Sequence, residues 1–593
     1  MRSPRQLAVR AMVTTVATAA ITAAAAGAPV IPWLAVPAGA STGPVLYVSA
    51  SGNDQADGRS PATAWRTLGR VNREVLAPGT RVLLEGGRSF PGPLFLDSAD
   101  AGDPAAPVRI ASYGTGRATI SGVRAAGISV YNTAGVEIRQ LRFSGDADAY
   151  RSKGGIEFYS DVPDRKLSSI VIAGVEVRGF RHGIMIGGAN ARSGFRAVTI
   201  HGSTVHDNML TGLLTYGPAF DPAAPAYAHE SVRVTRVVAY RNVGDPGELH
   251  RNTGSGIVLG SVRGGLIERS RAYANGEACA APEGPVGIWT YDSSRVVIQR
   301  NIASGNRRAG PADGGGFDLD QNVSDSTMQY NVSYGNDGPG YLVYSGRAND
   351  AQAGNVVRFN ISSGDAMKSG AYGGITVMGR IRDAEIYNNT VVMRPNGAVR
   401  SPAVKLGTGL SGVALRNNVF VSEAAGPLVV APNFGTAAVL LQGNDYFAPA
   451  GGWRTKWGST TYTSLTGWSA ATRQEQLGGR LVGLTVDPAF TDAAATLAMT
   501  DAADPSQAAA LSLTTGSALR GRALPLTTLF GVAVGQRDYF GNPLPAAGEP
   551  YDVGAHHRPL TVASTAVRPL SWRLVAARDP VRSTALAWRE RAR

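Results

Sequence analysis

The chain has 593 residues, 74 of them glycine, with 44% hydrophobic and 17% charged residues and no Gly-X-Y period. That length admits a large core, and the composition excludes collagen and a disordered polymer in favour of a turn-rich, all-β chain. The net charge of +13 sits mainly at the ends: residues 1–40 carry +3 and residues 558–593 carry +6, leaving +4 for 41–557, so the body lacks the basic face that a nucleic-acid partner demands.

Arg2, Arg5 and Arg10 precede an Ala-rich apolar run over 11–26, and Ala38-Gly39-Ala40 offers small residues for cleavage. Residues 1–40 therefore read as a secretory signal cut after Ala40, and the expected protein is secreted and extracellular. No later stretch holds the ~18 consecutive apolar residues of a membrane span. Cys279 is the only cysteine; it makes no intramolecular disulfide and, with no histidine placed to activate it, reads as structural. Residues 41–121 are expected to cap the fold, with a helix predicted over 60–76.

From residue 122 to 446 a repeat dominates. A small residue followed by apolar, any, apolar recurs at Gly127, Gly155, Gly183, Gly212, Gly256, Gly287, Gly316, Gly340, Gly374 and Ala403, at spacings of 28, 28, 29, 44, 31, 29, 24, 34 and 29 residues. Asn301, Asn331, Asn360, Asn389 and Asn418 recur in phase, 29 or 30 residues apart. Such an Asn at a repeated bend can bond to the same amide one coil away. The pattern predicts coils of three short strands, about 29 residues each, stacked as a single right-handed parallel β-helix. Short β-branched segments such as Arg295-Val296-Val297-Ile298-Gln299 disfavour helical repeats. Residues 447–557 lose the period and are expected to close the solenoid; 558–593 form a basic, flexible tail.

Several segments carry a family resemblance. Tyr47-Val48-Ser49-Ala50-Ser51-Gly52-Asn53-Asp54, Pro61-Ala62-Thr63-Ala64-Trp65 and Pro78-Gly79-Thr80-Arg81-Val82 resemble the N-terminal capping module of bacterial right-handed parallel β-helix proteins of the pectate-lyase-like superfamily. Asp538-Tyr539-Phe540-Gly541-Asn542-Pro543 and Asp552-Val553-Gly554-Ala555 look like that group's closing strand signature. The resemblance implies the fold and a carbohydrate-active protein. It is silent on reaction, because the superfamily holds lyases, hydrolases, epimerases and non-catalytic proteins.

Departures from the period locate the site. Extra residues at 244–255, 276–286 and 307–315 enlarge the turn entering the Gly-led strand, and 217–230 and 345–354 enlarge the turn leaving it, so loops wall a groove on one face. Alternation then lists the groove floor. The first outward positions run Glu157, Met185, Leu214, Val258, Trp289, Asp318, Leu342, Thr376, Lys405; the second run Tyr159, Gly187, Tyr216, Gly260, Tyr291, Asp320, Tyr344, Met378, Gly407. On a strand over 316–320, Asp318 and Asp320 stand ~6.7 Å apart on one face, near the separation of inverting glycosidases.

Asp318, Asp320 and Asp313 are thus the candidate catalytic acids for a glycoside hydrolase acting on a polysaccharide or oligosaccharide, needing no cofactor. Trp289, Tyr291, Tyr344, His250 and Arg251 are the candidate substrate contacts. A polysaccharide lyase would use Asp318, Asp320 and Asp337 to hold Ca²⁺ against a uronate, with Lys368 as the nearest base and Arg307, Arg308 and His250 as others. The remaining alternative is a non-catalytic glycan-binding or surface β-helix. Two histidine pairs, His201 and His206 in one segment and His556-His557 near the end, show no metal-ligand pattern.

Overall fold

The computed structural model describes residues 43–558 apart from 123–124, 151–152, 347–351, 424–425 and 450. The signal segment 1–40, its cleavage site and the tail from residue 559 lie outside the described residues. Three long sheets, two of 14 strands and one of 13, run side by side along the chain. Each coil contributes one strand to each sheet. In the coil that starts at Val286, for example, the strands are Val286–Tyr291, Ser294–Gln299 and Ile302–Ser304. Neighbouring coils pair in parallel throughout, and the front sheet ends in one antiparallel hairpin, Thr455–Trp457 with Thr460–Tyr462.

The front sheet holds the Gly-led strands in the register that the repeat predicts. Glu157 lies opposite Met185, Met185 opposite Leu214, Leu214 opposite Val258, Val258 opposite Trp289, Trp289 opposite Asp318, and Asp318 opposite Leu342. The alternate residues point inward: Ile156, Ile184, Leu213, Ile257, Ile288, Phe317, Tyr341 and Ile375 are buried in one continuous core. Like side chains stack on like, and each fully buried aliphatic or aromatic side chain contributes ~1.5–3 kcal/mol. With parallel pairing fixed on both sides, a one-residue slip would turn this row out to solvent.

Asparagine ladders fix the bends. Asn301 donates its Nδ2 to Asn331 Oδ1 (3.1 Å) and to the carbonyl of Ile267 (2.9 Å), while its backbone N–H also reaches Asn331 Oδ1 (3.0 Å). The same bonds repeat from Asn331 to Asn360, Asn389 and Asn418, and run one step beyond the expected series to Asn444. A second ladder joins Asn208, Asn242, Asn275, Asn306 and Asn336 and ends on Asp365. Its steps of 34, 33, 31, 30 and 29 residues hid it from a search for a fixed period. Removing Asn331 strips the acceptor from two buried donors of Asn301 and the donor from the carbonyl of Ile298. Asn331→Ala is expected to cost about 2–4 kcal/mol, read as a lower urea midpoint at unchanged m.

The N-terminal cap differs from the helix expected over 60–76. Pro61–Thr63 forms a single 3₁₀ turn and Leu68–Val71 a four-residue helix. Between them Trp65 is extended, because its backbone pairs with Tyr47 (2.9 Å) and Ser49 (2.8 Å) as an added edge of the first coil. Ser60 and Thr67 each cap the short element that follows, which satisfies end donors on either side of the extended residues. Leu68, Val71 and Leu76 still cover the open end of the core.

Beyond residue 447 the chain folds back along the outside of the third sheet and buries a second apolar cluster there, including Tyr330, Phe359, Tyr387, Leu511, Leu526 and Val553. Asp538 and Asp552, from the two closing motifs, act as carboxylate anchors of turns. Asp538 accepts from the backbone of Asn542 and His557 (2.7 Å each), and Asp552 from Gly521 (2.8 Å) and Arg558 (2.7 Å). Cys279 is buried and unpaired with any other cysteine. Among the described residues no helix is long and apolar enough to cross a membrane.

Candidate active site

The strand Gly315–Leu319 is one residue out of phase at each end with the expected 316–320. Phe317 and Leu319 are fully buried in the core, so Asp318 faces outward between Trp289 and Leu342. Asp320 follows the last paired residue, its N–H held by the carbonyl of Thr290 (2.9 Å). Ahead of the strand, Asp313 and Gly314 are both left-handed (φ 54° and 74°). Glycine suits that backbone at 314, and a Cβ there would crowd Asp337.

The loops that enter and leave the strands close over this point. Asp313, Asp318 and Asp320 line one cavity of about 280 Å³ together with Trp289, Tyr344 and Tyr372. It opens past Trp289, Asp320 and Gln321 into a longer, more open cavity of about 880 Å³ that runs over the coils towards the N-terminus. Tyr291, His250 and Arg251 line that second part, with Tyr216 and Lys153 farther along. All eight candidate site residues therefore lie along one groove.

Three buried polar atoms lining the smaller cavity have no hydrogen-bond partner: Asp318 Oδ1, Trp289 Nε1 and Gln321 Oε1. Buried groups of this kind gain from a partner, so three of them around one cavity leave it able to bond a polar molecule that enters. The set includes a fixed donor, a fixed acceptor and a carboxyl. A polyhydroxylated molecule offers both complements on each hydroxyl.

The three carboxyls differ in how their charge is supported. Asp318 is 3% exposed, and burial, then Asp320 and Asp313, push its pKa well above the carboxylate range. Asp320 is pushed up to about 8, mainly by burial, against one opposing bond from the N–H of Gln321 (2.7 Å). Asp313 is raised by burial too, but it has the most support. Tyr372 donates its hydroxyl to Oδ1 (2.9 Å), Gly284 donates its N–H to Oδ2 (3.0 Å), and the Arg308 guanidinium favours the charged form. The surroundings thus favour the neutral form of Asp318 and Asp320 more than that of Asp313.

Of the residues named for an elimination, Asp318 and Asp320 line this cavity and His250 the longer one, whereas Asp337, Lys368, Arg307 and Arg308 line neither. Lys368 bonds to the carbonyl of Arg308 and lies 3.8 Å from Asp337, which also pairs with Arg307 (3.1 Å). Lys368, Asp337, Arg307 and Arg308 line a different cavity, against Tyr273, Tyr334 and the returning C-terminal segment at Leu497. Among the described residues no group of three or more His, Cys, Asp or Glu is spaced to hold a metal ion. His201 bonds to Thr235 (2.9 Å) and His206 stacks on Tyr240 (4.7 Å), both away from the groove.

Residues 167–391 match the family model described as "Right handed beta helix region". Over those residues the chain is similar to right-handed parallel β-helix proteins, in keeping with its three parallel sheets. No curated protein matches this β-helix protein. Among solved structures it is similar to the GH136 lacto-N-biosidase from Eubacterium ramulus, at 17% identity and a TM-score of 0.45 over 61% of this chain. The match spans 65% of that enzyme's length. It is similar also to pectate lyase Pel9A (16% identity, TM-score 0.40, 88% of this chain and 100% of that one). A third is the A-module of the mannuronan C-5 epimerase AlgE4 from Azotobacter vinelandii (14%, 0.37, 69% and 91%).

Sequence reasoning missed several groove residues of the β-helix protein. Tyr372 is 59 residues from the Asp313 it supports, and nothing in the repeat pairs the two entering turns across the intervening coil. Glu283 and Asn252 line both cavities and lie in insertions already singled out; their positions were visible, their inward aim was not. Tyr372→Phe removes the bond that favours charged Asp313. The acidic limb of the pH–rate profile is then expected to move to higher pH, with activity falling ~10-fold near pH 5 and less near pH 8. A merely structural role would lower the rate equally at both pH values.

Proposed function

We propose that this β-helix protein is a secreted glycoside hydrolase that cleaves a polysaccharide in the groove over Asp318. One observation carries the reading: Asp318 is a buried carboxyl with an unpartnered oxygen, its pKa raised well above the carboxylate range by its surroundings, on the floor of a cavity whose other unpartnered atoms suit hydroxyl groups. A carboxylic acid held neutral near pH 7 is the general acid that a glycosidic oxygen requires as it leaves. Asp318 gives its proton to that oxygen. Asp313, the best-supported anion, takes a proton from the water that attacks the anomeric carbon, so the bond to the leaving sugar breaks as the bond to water forms. Both oxygens of Asp313 already accept one bond each, which leaves lone pairs for the water. Asp320 faces both parts of the groove, and where it ionises its charge adds to the hold on the Asp318 proton.

The test is a polysaccharide panel incubated with the protein and with its Asp318→Asn and Asp313→Asn variants, following reducing ends and the absorbance of unsaturated uronates. New reducing ends without absorbance, lost in both variants, are the expected result. Absorbance would replace the reading with elimination. Binding without cleavage of any polymer would replace it with a docking protein, and activity surviving both substitutions would overturn the site.

A further inference from the structure

We propose that a gap in the ring stack on the third sheet is a second binding site, separate from the groove, which takes a planar aromatic ring bearing a carboxylate. It rests on no assumption about the reaction at Asp318.

The second outward position of the third-sheet strands runs His206, Tyr240, Tyr273, Ser304, Tyr334 and Ser363, each in register with the next. Their neighbours Ala239, Ala272, Ala303 and Ser333 are buried on the inner face, so this row faces out. The first three rings stack flat: His206 lies on Tyr240 at 4.7 Å and 3°, and Tyr240 on Tyr273 at 5.1 Å and 5°. The stack stops at Ser304, which has no ring to add, and Tyr334 resumes the row one coil later. Neighbouring strands lie ~4.8 Å apart, so the positions of Tyr273 and Tyr334 are ~9.6 Å apart across the serine. A planar ring placed over Ser304 would keep the spacing that the rings of the row already have.

The space is open. Tyr273, Ser304, Gly305 and Tyr334 line one cavity of about 790 Å³, which shares no lining residue with either part of the groove. A Cβ on Gly305 would meet nothing nearer than Arg307 Nη2 at 3.9 Å, and one on Gly335 would meet nothing within 4 Å. On the far side Tyr334 is held in place: its hydroxyl donates to the carbonyl of Met499 (3.2 Å) and accepts from the N–H of the same residue (3.0 Å). The returning C-terminal segment thereby adds Thr496 and Leu497 to the lining.

The charges beside the gap set the second requirement. Arg307 uses Nη1 on the carbonyl of Gly335 (2.9 Å) and on Asp337 Oδ1 (3.1 Å), which leaves Nη2, beside Gly305, for another acceptor. Lys368 lies 3.8 Å from the same carboxylate. Asp337 therefore answers two cations, and one positive charge is left over. Glu277, the other carboxylate of the lining, is exposed, so solvent screens it. Guanidinium groups bind carboxylates through charge-assisted bonds. An aromatic acid meets both the ring gap and the free guanidinium edge, whereas a neutral aromatic meets only the first.

The experiment titrates the full-length protein calorimetrically with 4-hydroxycinnamate, its methyl ester, cyclohexanecarboxylate and galacturonate, and repeats the series on Ser304→Tyr and Arg307→Gln. The aromatic acid is expected to bind ~10-fold tighter than its ester and than either acid lacking a planar ring. Ser304→Tyr supplies the missing ring from the chain itself and should abolish binding at an unchanged or higher melting temperature. Arg307→Gln leaves the gap intact, and should weaken the acid ~10-fold so that acid and ester bind alike. No binding of 4-hydroxycinnamate, equal binding of acid and ester by the wild type, or binding of cyclohexanecarboxylate or galacturonate as tight as that of the aromatic acid would each overturn the proposal. So would affinity for the aromatic acid that survives Ser304→Tyr, because the ligand would then sit elsewhere.

Discussion

Asp318→Asn is expected to lower kcat by about 10³-fold while leaving oligosaccharide affinity within a few-fold of wild type. The amide keeps the shape of the side chain and a donor towards the glycosidic oxygen, but it has no proton to give. Asp313→Asn should cost a similar factor for the opposite reason, because it cannot take up a proton from water. The two variants differ towards leaving groups. A substrate with an activated aryl leaving group needs no general acid, so it should restore turnover to Asp318→Asn and not to Asp313→Asn. Equal rescue of both would mean that the roles are exchanged or shared. Initial rates on an aryl glycoside and on the natural polymer, for both variants, decide it.

Asp320→Asn is expected to make the protein more resistant to alkali. Burial raises the folded-state pKa of Asp320 to about 8, against ~3.9 in the unfolded chain. Between those values the native state binds a proton that the unfolded state has lost, so stability falls as pH rises. The contribution is fully present below pH ~4 and gone once pH passes through 8, a slope on the order of 1 kcal/mol per pH unit. Glu475 and Asp445, each raised by burial to about 7, add slopes of the same sign. The informative quantity is therefore the difference between wild type and variant: urea midpoints should coincide near pH 4 and diverge steadily up to pH 8, with the variant higher. Coincidence across the range would mean that Asp320 ionises freely, and that the cavity is wetter than its burial implies.

These two results are linked, since the same buried carboxyls would be costly to stability and useful to chemistry. That link was invisible before the loops were in place. From the repeat alone, strand alternation put Asp318 and Asp320 on the outer face beside Trp289, Tyr291 and Tyr344, and all of these line the groove. The register was legible because parallel coils copy one pattern of inward and outward residues. The burial was not, because it comes from 276–286, 307–315 and the turn at Tyr372, whose paths no period constrains. Lys368 shows the same limit from the other side. It lies in an entering turn as supposed, yet its side chain goes to Asp337 and a different cavity. The helix expected over 60–76 failed because Trp65 gains more from pairing with the first strand than from helical bonds of its own.

The asparagine ladders make the solenoid a ruler marked in whole coils. Every rung bonds to the equivalent rung of the next turn, from Asn301 to Asn444 on one corner and from Asn208 to Asp365 on another. A duplication or loss of one complete coil inside that span leaves each rung facing another and changes only the groove's length. A change of one or two residues between rungs must instead be absorbed by a loop, which is where the irregular spacings at 217–230, 276–286 and 345–354 are found. Groove length would then change in increments of one coil while wall shape varies continuously, so that chain-length preference and sugar preference could evolve independently on the same scaffold.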